Sequence, residues 1–507
     1  MKERPASPNV SRPKKSRLRR WLRRFGLLIL ILILLVLAVA VYHRTFGDRR
    51  LAAAAASTDR LDPGWHWEDL AAQRAAVPDG QNAAPVVLEA AKCLPENWPP
   101  KPASESPFGK DKSIVDRIRD CEPVEQLDAD LIKAAREELR KVEPALELAH
   151  RLARFRAGRY PDLSFADYHL STNLSHLQHC RQVANLLWVE AALRAQEQRI
   201  NAALDSSRCI MIAGRSIGDE PGLIAHLVRN VCRHLTVLSI ERALAQGQAT
   251  EEDLATTQRL LEEEQKQNTL LMALRGNRAF QDQIMTWVDA EDRERLAAVR
   301  DDELARFSRE HPVAMALCHW FMVGWLKENH AVMLELSNEA VEIAKLPLDE
   351  QVEPFEKLSF KAREIHFNEG WPPYRYAFGT LMMPAVAKVA ESFARSRADL
   401  RCALTALAAE RFRIAHGRWP EKLDELIPRF LAAMPIDPFD RKPLKLRRFD
   451  DGILIYSVGP DGVDDGGKIN RKAYSWDRQD FGCWLWNVQR RRQMPLPRDP
   501  ANDEVLK

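Results

Sequence analysis

The chain has 507 residues, 46% of them hydrophobic, and a formal net charge of +3. That charge sits at one end: the first 24 residues carry ten Lys or Arg and one acid, +9, which leaves the remainder at −6. Such a balance excludes a large basic nucleic-acid surface, and the length allows two or three domains with cores of their own.

Residues 1–24 form a basic arm. Residues 25–42 follow as eighteen uncharged residues with Gly26 as their one glycine, long enough to cross the hydrocarbon core of a bilayer as a helix. Lys14, Lys15, Arg17, Arg19, Arg20, Arg23 and Arg24 hold the arm in the cytoplasm, and Trp21 and Tyr42 mark the two headgroup zones. The expected topology is a single pass through the cell inner membrane, N-terminus cytoplasmic and C-terminus periplasmic. Ala38-Val39-Ala40 resembles a small-x-small cleavage site, but the apolar run exceeds a signal core, which favours an uncleaved anchor.

Residues 43–127 read as a Pro-rich linker region with short helices at 67–76 and 84–94, broken by Pro63, Pro78, Pro95, Pro99, Pro100, Pro102 and Pro107. The stretch from Trp98 to Pro102 is expected to run extended over the surface. Eight Cys without a C-x-x-C pair exclude a zinc ribbon and a thioredoxin-type site. Cys93 with Cys121 is the first pair to consider for a disulfide. Cys180, Cys209, Cys232, Cys318 and Cys402 fall in helical patterns and are expected to be small buried apolar residues.

Residues 128–383 are helical in period. Leu170, Leu174, Leu177, Ala184, Leu187 and Ala191 form one stripe, and Ile224, Leu227, Val228, Val231, Leu235 and Leu238 another. Glu220-Pro221 opens the second helix, Gly247 closes it, and Thr250 with Asp253 caps the next. A bundle or a stack of helical hairpins follows from the short connections. The apolar stretch 313–326, with His319, is too short to span a bilayer and predicts a buried core helix. Glu262, Glu263 and Glu264 are expected on a solvated face.

Two constellations carry potential chemistry. Gly214-Arg215-Ser216-Ile217-Gly218 fits the G-x-S-x-G nucleophile elbow, yet an elbow needs a helix that starts at its serine, and the next helix is predicted only from Pro221. His176, His179 and Cys180, with His169 upstream, have the spacing that puts metal-binding side chains on one helix face, but no second cluster completes a site. A loop between helices and a helix–helix contact are the favoured readings. No HExxH, GxxxxGK or GxGxxG is present.

Residues 384–487 form a smaller α+β module: a helix to Gly417, a short helix at 421–427, then strands at 444–448 and 453–458 around Asp450-Asp451-Gly452. A Gly/Asp-rich loop, 459–467, follows, and 488–507 reads as a polar tail. Hard oxygen ligands on such a flexible loop suit calcium, whereas Asp and Gly also serve plain turns. Taken in order, the helix, His416-Gly-Arg-Trp-Pro420, Leu423-x-x-Leu-Ile-Pro428, Asp437-Pro-Phe-Asp440, the hairpin and Tyr456-Ser-Val-Gly-Pro-Asp-Gly462 resemble the C-terminal part of the major pseudopilin of type II secretion, over about 385–485. The resemblance implies calcium held by Asp461, Asp464 and Asp465, with Asp477 or Asp480 closing the site. The departures are the lack of a prepilin-peptidase site and of a Glu early in the apolar run, and about 340 residues between anchor and module. The module therefore reads as borrowed, and the whole architecture resembles membrane proteins of planctomycete-like bacteria, a likeness that brings no activity with it.

The resulting expectation is a mainly α, non-enzymatic envelope protein. Its extracytoplasmic helical domain binds or scaffolds a protein partner, and its C-terminal module holds calcium. The alternative is a membrane-anchored hydrolase using Ser216 or a His176/His179 metal site.

Overall fold

The computed structural model describes residues 15–99, 112–161, 174–289, 312–368, 375–381, 383–469 and 479–495. His169, Leu170 and Asp477, and the side chains of Cys318 and His319, lie outside the described residues. The chain is mainly helical, with one N-terminal apolar helix and a small antiparallel sheet near the C-terminus.

Helix α1 (Lys15–Leu61) is continuous over 47 residues, about 70 Å at 1.5 Å per residue. Its apolar part stays exposed along its length. Beyond residue 42 the helix does not give way to a linker, because 43–61 packs along a later helix, Pro312–Lys345. Glu328 accepts from or pairs with His43 Nδ1 at 2.9 Å, Glu335 receives Arg50 at 2.9 and 3.1 Å, and Lys345 donates to the Leu61 carbonyl at 3.0 Å. Partners rise together in number, so the two helices run parallel. Gly47 and Gly324 permit the crossing: a Cβ on Gly324 would stand 2.5 Å from Arg44 N.

The next helices are short: α2 (Trp67–Ala72), α3 (Ala84–Lys92), α4 (Ile114–Arg119), α5 (Ala129–Lys141) and α6 (Glu143–His150). Pro85 sits in the first turn of α3, where no donor is lost. Ser113 and Asp128 cap α4 and α5 by accepting from Asp116 N and Leu131 N. Leu131, Ala135 and Leu139 recur every four residues and face inward. Trp98 is buried in this same core. At Trp98 the expectation of a surface run is corrected, since the apolar indole gains by burial; Pro100, Lys101 and Pro102 lie outside the described residues.

Three long helices follow, α7 (Ser175–Gln196), α8 (Ile200–Arg215) and α9 (Leu223–Gln246), joined by short turns. They close the first core around Leu177, Val183, Leu187, Ile210 and Val228. In the stripe expected on α9, Val228 and Leu235 are buried while Ile224 and Val231 are exposed. The buried face is rotated toward Ala225, Arg229, Cys232 and Arg233 because both arginines reach Glu264 inside the protein. α10 (Glu251–Gln265), capped by Thr250, and α11 (Thr269–Asp289) come next. α12 is the helix Pro312–Lys345 already met. In its apolar opening Met322 is exposed and Val323 buried. α13 (Val352–Asn368), α14 (Ala377–Thr380) and α15 (Met383–His416) complete the helices. Gly417, at φ +69°, ends α15 as a left-handed cap.

The sheet has the order β1 (Lys445–Phe449), β2 (Gly452–Ser457), β3 (Phe481–Trp486), antiparallel throughout. Leu446 faces Ile455, and Ile455 faces Cys483. The hairpin is where the sequence puts it; β3 is a strand that sequence reading did not single out. β2 is buried on both faces. Ile453, Ile455 and Leu485 share one core with Leu404, Leu407 and Phe412 of α15 and with Leu204, Ile240, Leu254 and Leu261 of α8–α10. The boundary at 383/384 thus separates no core. The described part of the tail is docked as well: Arg491 meets Glu410, and Gln493 N donates to Val124 O at 2.9 Å.

Candidate functional site

The Asp-rich loop hangs between β2 and β3 and is built on its own side chains. Asp461 Oδ1 accepts from Val463 N at 3.0 Å, an Asx turn. Asp464 Oδ1 accepts from Gly466 N and from the Tyr456 hydroxyl, both at 2.9 Å. The Arg447 guanidinium donates to the Gly466 carbonyl, and Gly466 and Gly467 adopt φ of +72° and +73°. Asp480 is 2% exposed; its Oδ2 accepts from Gly467 N at 2.7 Å, while the buried Oδ1 has no partner. Burial raises the Asp480 carboxyl above the ordinary aspartate range against the amides of Gly467 and Asp465, and the charges of Asp464 and Asp465 add a smaller push upward.

Carboxylates are the ligands a hard cation takes, but among the described residues they are not drawn together around one point. An orphaned buried carboxylate oxygen stands under the influence of two further carboxylates, and a cation would relieve both the missing partner and the repulsion. Asp461 and Asp464 each use one oxygen on their own turn. Among the described residues no group of three or more His, Cys, Asp or Glu is gathered closely enough to hold a metal.

The elbow motif has another role here. Ser216 directly follows α8, at the carbonyl end of the helix, whereas an elbow needs the amino end, with its amides facing an oxyanion. Ser216 is fully buried; its Oγ donates to Ala213 O at 2.6 Å and lies 2.9 Å from Tyr160 Oη. The flanking glycines serve close packing: a Cβ on Gly214 would crowd Cys232, and Gly218 has φ +66°. His176 is turned to Glu220, with Nε2 at 3.1 Å from each carboxylate oxygen, and its ring stacks at a tilt on Tyr160. His179 is held below the ordinary histidine range by burial, then by His176 and Lys92. Cys180 Sγ lies 3.1 Å from Ala213 O and 3.8 Å from Cys232 Sγ. The fold therefore brings Ser216, Tyr160, His176 and Glu220 into one buried patch without pairing the serine with the histidine.

A groove of about 420 Å³ opens beside that patch, lined by Val77, Asp79, Asn82, Leu88, Arg159 and Tyr160. Neither Ser216 nor His176 lines it, although a pocket converging on them is what a hydrolase would require. Cys93 and Cys121 remain thiols, and Cys121 Sγ contacts the Arg117 carbonyl at 3.3 Å, so the expected pairing is corrected.

Glu264 is the residue that sequence reading placed most wrongly. It is 0% exposed, and Arg215, Arg229 and Arg233 all converge on it, at 2.6 to 2.9 Å. The helical spacing of Arg229 and Arg233 was the available signal: four residues apart, both point from one face of α9. Comparison with family models, with curated proteins and with solved structures finds no match to this chain.

Proposed function

We propose that the chain is a single-pass protein of the cell inner membrane, with a cytoplasmic arm and a periplasmic domain. In this reading the helical domain binds or scaffolds a protein partner and performs no catalysis, and the C-terminal sheet carries a calcium site. The observation that carries it is α1. An apolar span of anchor length continues without a break into a helix whose second half is part of the folded domain, so the anchor belongs to the fold. The apolar surface near the point of exit supports the same reading: Phe367 and Leu381 are each 62% exposed, and the Thr380 hydroxyl pairs with His366 between them. The hydrolase alternative lacks comparable support, because Ser216 is buried at the wrong end of its helix.

Calcium would be held by Asp461, Asp464, Asp465 and Asp480. An ion bound there screens the mutual repulsion of the carboxylates and fixes the loop against β2.

Two measurements test the reading. In intact spheroplasts a membrane-impermeant maleimide should label Cys93, an exposed thiol; labelling only after lysis would reverse the topology. For the ion, the full-length protein in detergent should melt at a higher temperature in calcium than in chelator, through mass action on the folded state. Asp480→Asn should remove that difference. Equal melting in both conditions would leave the aspartates as turn formers.

A further inference from the structure

A second site lies at the end of α10. A small cavity of about 10 Å³ is lined by Arg233, Glu264, Thr269, Phe393, Arg397 and Leu400, with Gln265 and the exposed Gln267 at its rim, room for about one water-sized particle. Its walls come from α9, the end of α10, the start of α11 and α15.

The charges around it do not balance. Arg215, Arg229, Arg233 and Arg397 are all buried, and Glu264 is the buried carboxylate among them. The oxygens of Glu264 are already saturated. Oε1 accepts from Arg229 Nε at 2.9 Å and Arg233 Nε at 2.7 Å, and Oε2 from Arg215 Nε at 2.7 Å and Arg229 Nη2 at 3.0 Å. The surrounding acids are committed elsewhere: Glu263, half exposed, takes Arg215 Nη1, and Asp349 takes Arg401 in a forked pair. The Arg397 guanidinium donates to a carbonyl, that of Leu348, and forms no ion pair among the described residues. Burial, then Arg401, lower its guanidinium to about 10, with Asp349 opposing and Arg233 adding a smaller push downward. It stays protonated at neutral pH.

Donors remain for an occupant. Arg233 Nη2 is buried without a hydrogen-bond acceptor, since it stands 2.6 Å from Glu264 Oε1 but off the N–H direction. Thr269 Oγ1 accepts from Arg233 Nη1 at 3.2 Å, which leaves its own hydroxyl proton to give. Buried cations without counter-charge are strongly unfavourable. We propose that this cavity binds one small inorganic monoanion, chloride, between Arg233 and Arg397 with Thr269 as a third donor. The volume excludes phosphate and sulfate, and chloride, somewhat larger than a water, enters as the rim at Gln267 yields; the saturated Glu264 sets the spacing of the guanidiniums while its charge is spent on them.

The test uses the full-length protein in detergent, melted in sodium chloride and in sodium gluconate at matched ionic strength. Chloride should raise the melting temperature in a saturable way, by about 2 °C at a hundredfold excess over its dissociation constant, and sulfate should not. Arg397→Met, which removes the facing charge and keeps the bulk, should abolish the rise. Thr269→Val should weaken chloride binding several-fold and serves if Arg397→Met fails to fold. In crystals grown with bromide, an anomalous peak should lie between Arg233 and Arg397. The same melting temperature in chloride and gluconate, an unchanged response in Arg397→Met, or a water without anomalous signal in the cavity would each overturn the proposal.

Discussion

Asp437 Oδ1 accepts the hydroxyl of Ser457 at 3.0 Å across 20 residues of sequence, and Oδ2 of the same carboxylate takes Val458 N at 2.9 Å. Two short motifs that look independent in the sequence, around Asp437 and around Ser457, are thus one buried joint. It locks the Pro-rich turn before β1 to the end of β2, just where the Asp loop begins. Asp437→Ala strands the Ser457 and Val458 donors in the interior and should cost about 2–3 kcal/mol, read from the midpoint of denaturant unfolding. Burial holds the Asp437 carboxyl above the ordinary aspartate range. The folded state therefore binds this proton more tightly than the unfolded state does. That contribution is present below about pH 4 and is lost as pH rises through the raised value. Asp437→Asn should flatten this segment of the stability–pH curve.

Glu264 titrates in the opposite sense. Three guanidiniums outweigh the desolvation of its burial and lower its pKa. Its stabilising effect is complete above the ordinary glutamate value, about pH 4.3, and declines as pH falls below it. Glu264→Gln leaves three buried arginines without their carboxylate and should lower stability by about 3–5 kcal/mol. Melting at pH 7 and at pH 3.5 should show a large loss for the variant at neutral pH and a smaller one in acid. Equal losses at both would mean that packing, not charge, is what Glu264 contributes.

Arg491 docks the described part of the tail onto α15 by a forked pair with Glu410, at 2.9 and 3.0 Å, both partners buried. Its Nε also donates to Trp486 O at 3.0 Å, so it closes the end of β3. Arg491→Met should cost about 3 kcal/mol and speed hydrogen exchange at Trp486 and Gln493 before the rest of the sheet. Protection unchanged at those amides would show that the tail is dispensable.

The helices, the cap at Thr250, the stop at Gly417 and the β1–β2 hairpin were legible in the sequence, because each rests on a local periodicity or a turn residue. β3 was not, since Phe481-Gly-Cys-Trp-Leu-Trp486 is apolar at nearly every position and lacks the alternation of a half-exposed strand. The shared core of α15 and α8–α10 was hidden for a related reason: a helix stripe shows that a face is buried, not which partner buries it. Charged residues misled most. Glu264, Arg229 and Arg233 look like surface residues one at a time, and only their convergence explains their burial. At the candidate calcium loop, Asp461, Asp464 and Asp465 were visible as a cluster, yet the orphaned oxygen of Asp480 emerged only in three dimensions.

The exposed apolar residues near the exit of α1 carry a prediction about depth. Arg375 reaches Glu328, which also holds His43, and Gly379 N donates to Asn329 at 2.8 Å. Leu381 therefore stands near the level at which α1 leaves its apolar run. In vesicles, a nitroxide at Leu381→Cys should be accessible to oxygen in the manner of an interfacial site, one at Leu32→Cys should be deeply buried in lipid, and one at the exposed Met494→Cys should be fully aqueous. Aqueous behaviour at residue 381 with a buried residue 32 would keep the anchor and lift the domain off the bilayer.

The unbroken course of α1 through Gly47 has a mechanical consequence. The stretch from residue 42 to Leu61 reaches roughly 28 Å beyond the apolar span, and its close crossing with α12 fixes it to the domain. A transmembrane helix changes its tilt when the thickness of the bilayer changes. In the proposed anchor that tilt would have no hinge in which to dissipate. A change of 10° would swing the far end of the helix by about 5 Å, taking the roughly 28 Å lever arm above. The orientation of the sheet and of whatever surface meets a partner would then be set by the lipid around residues 25–42, as the angle of a mast is set by its step.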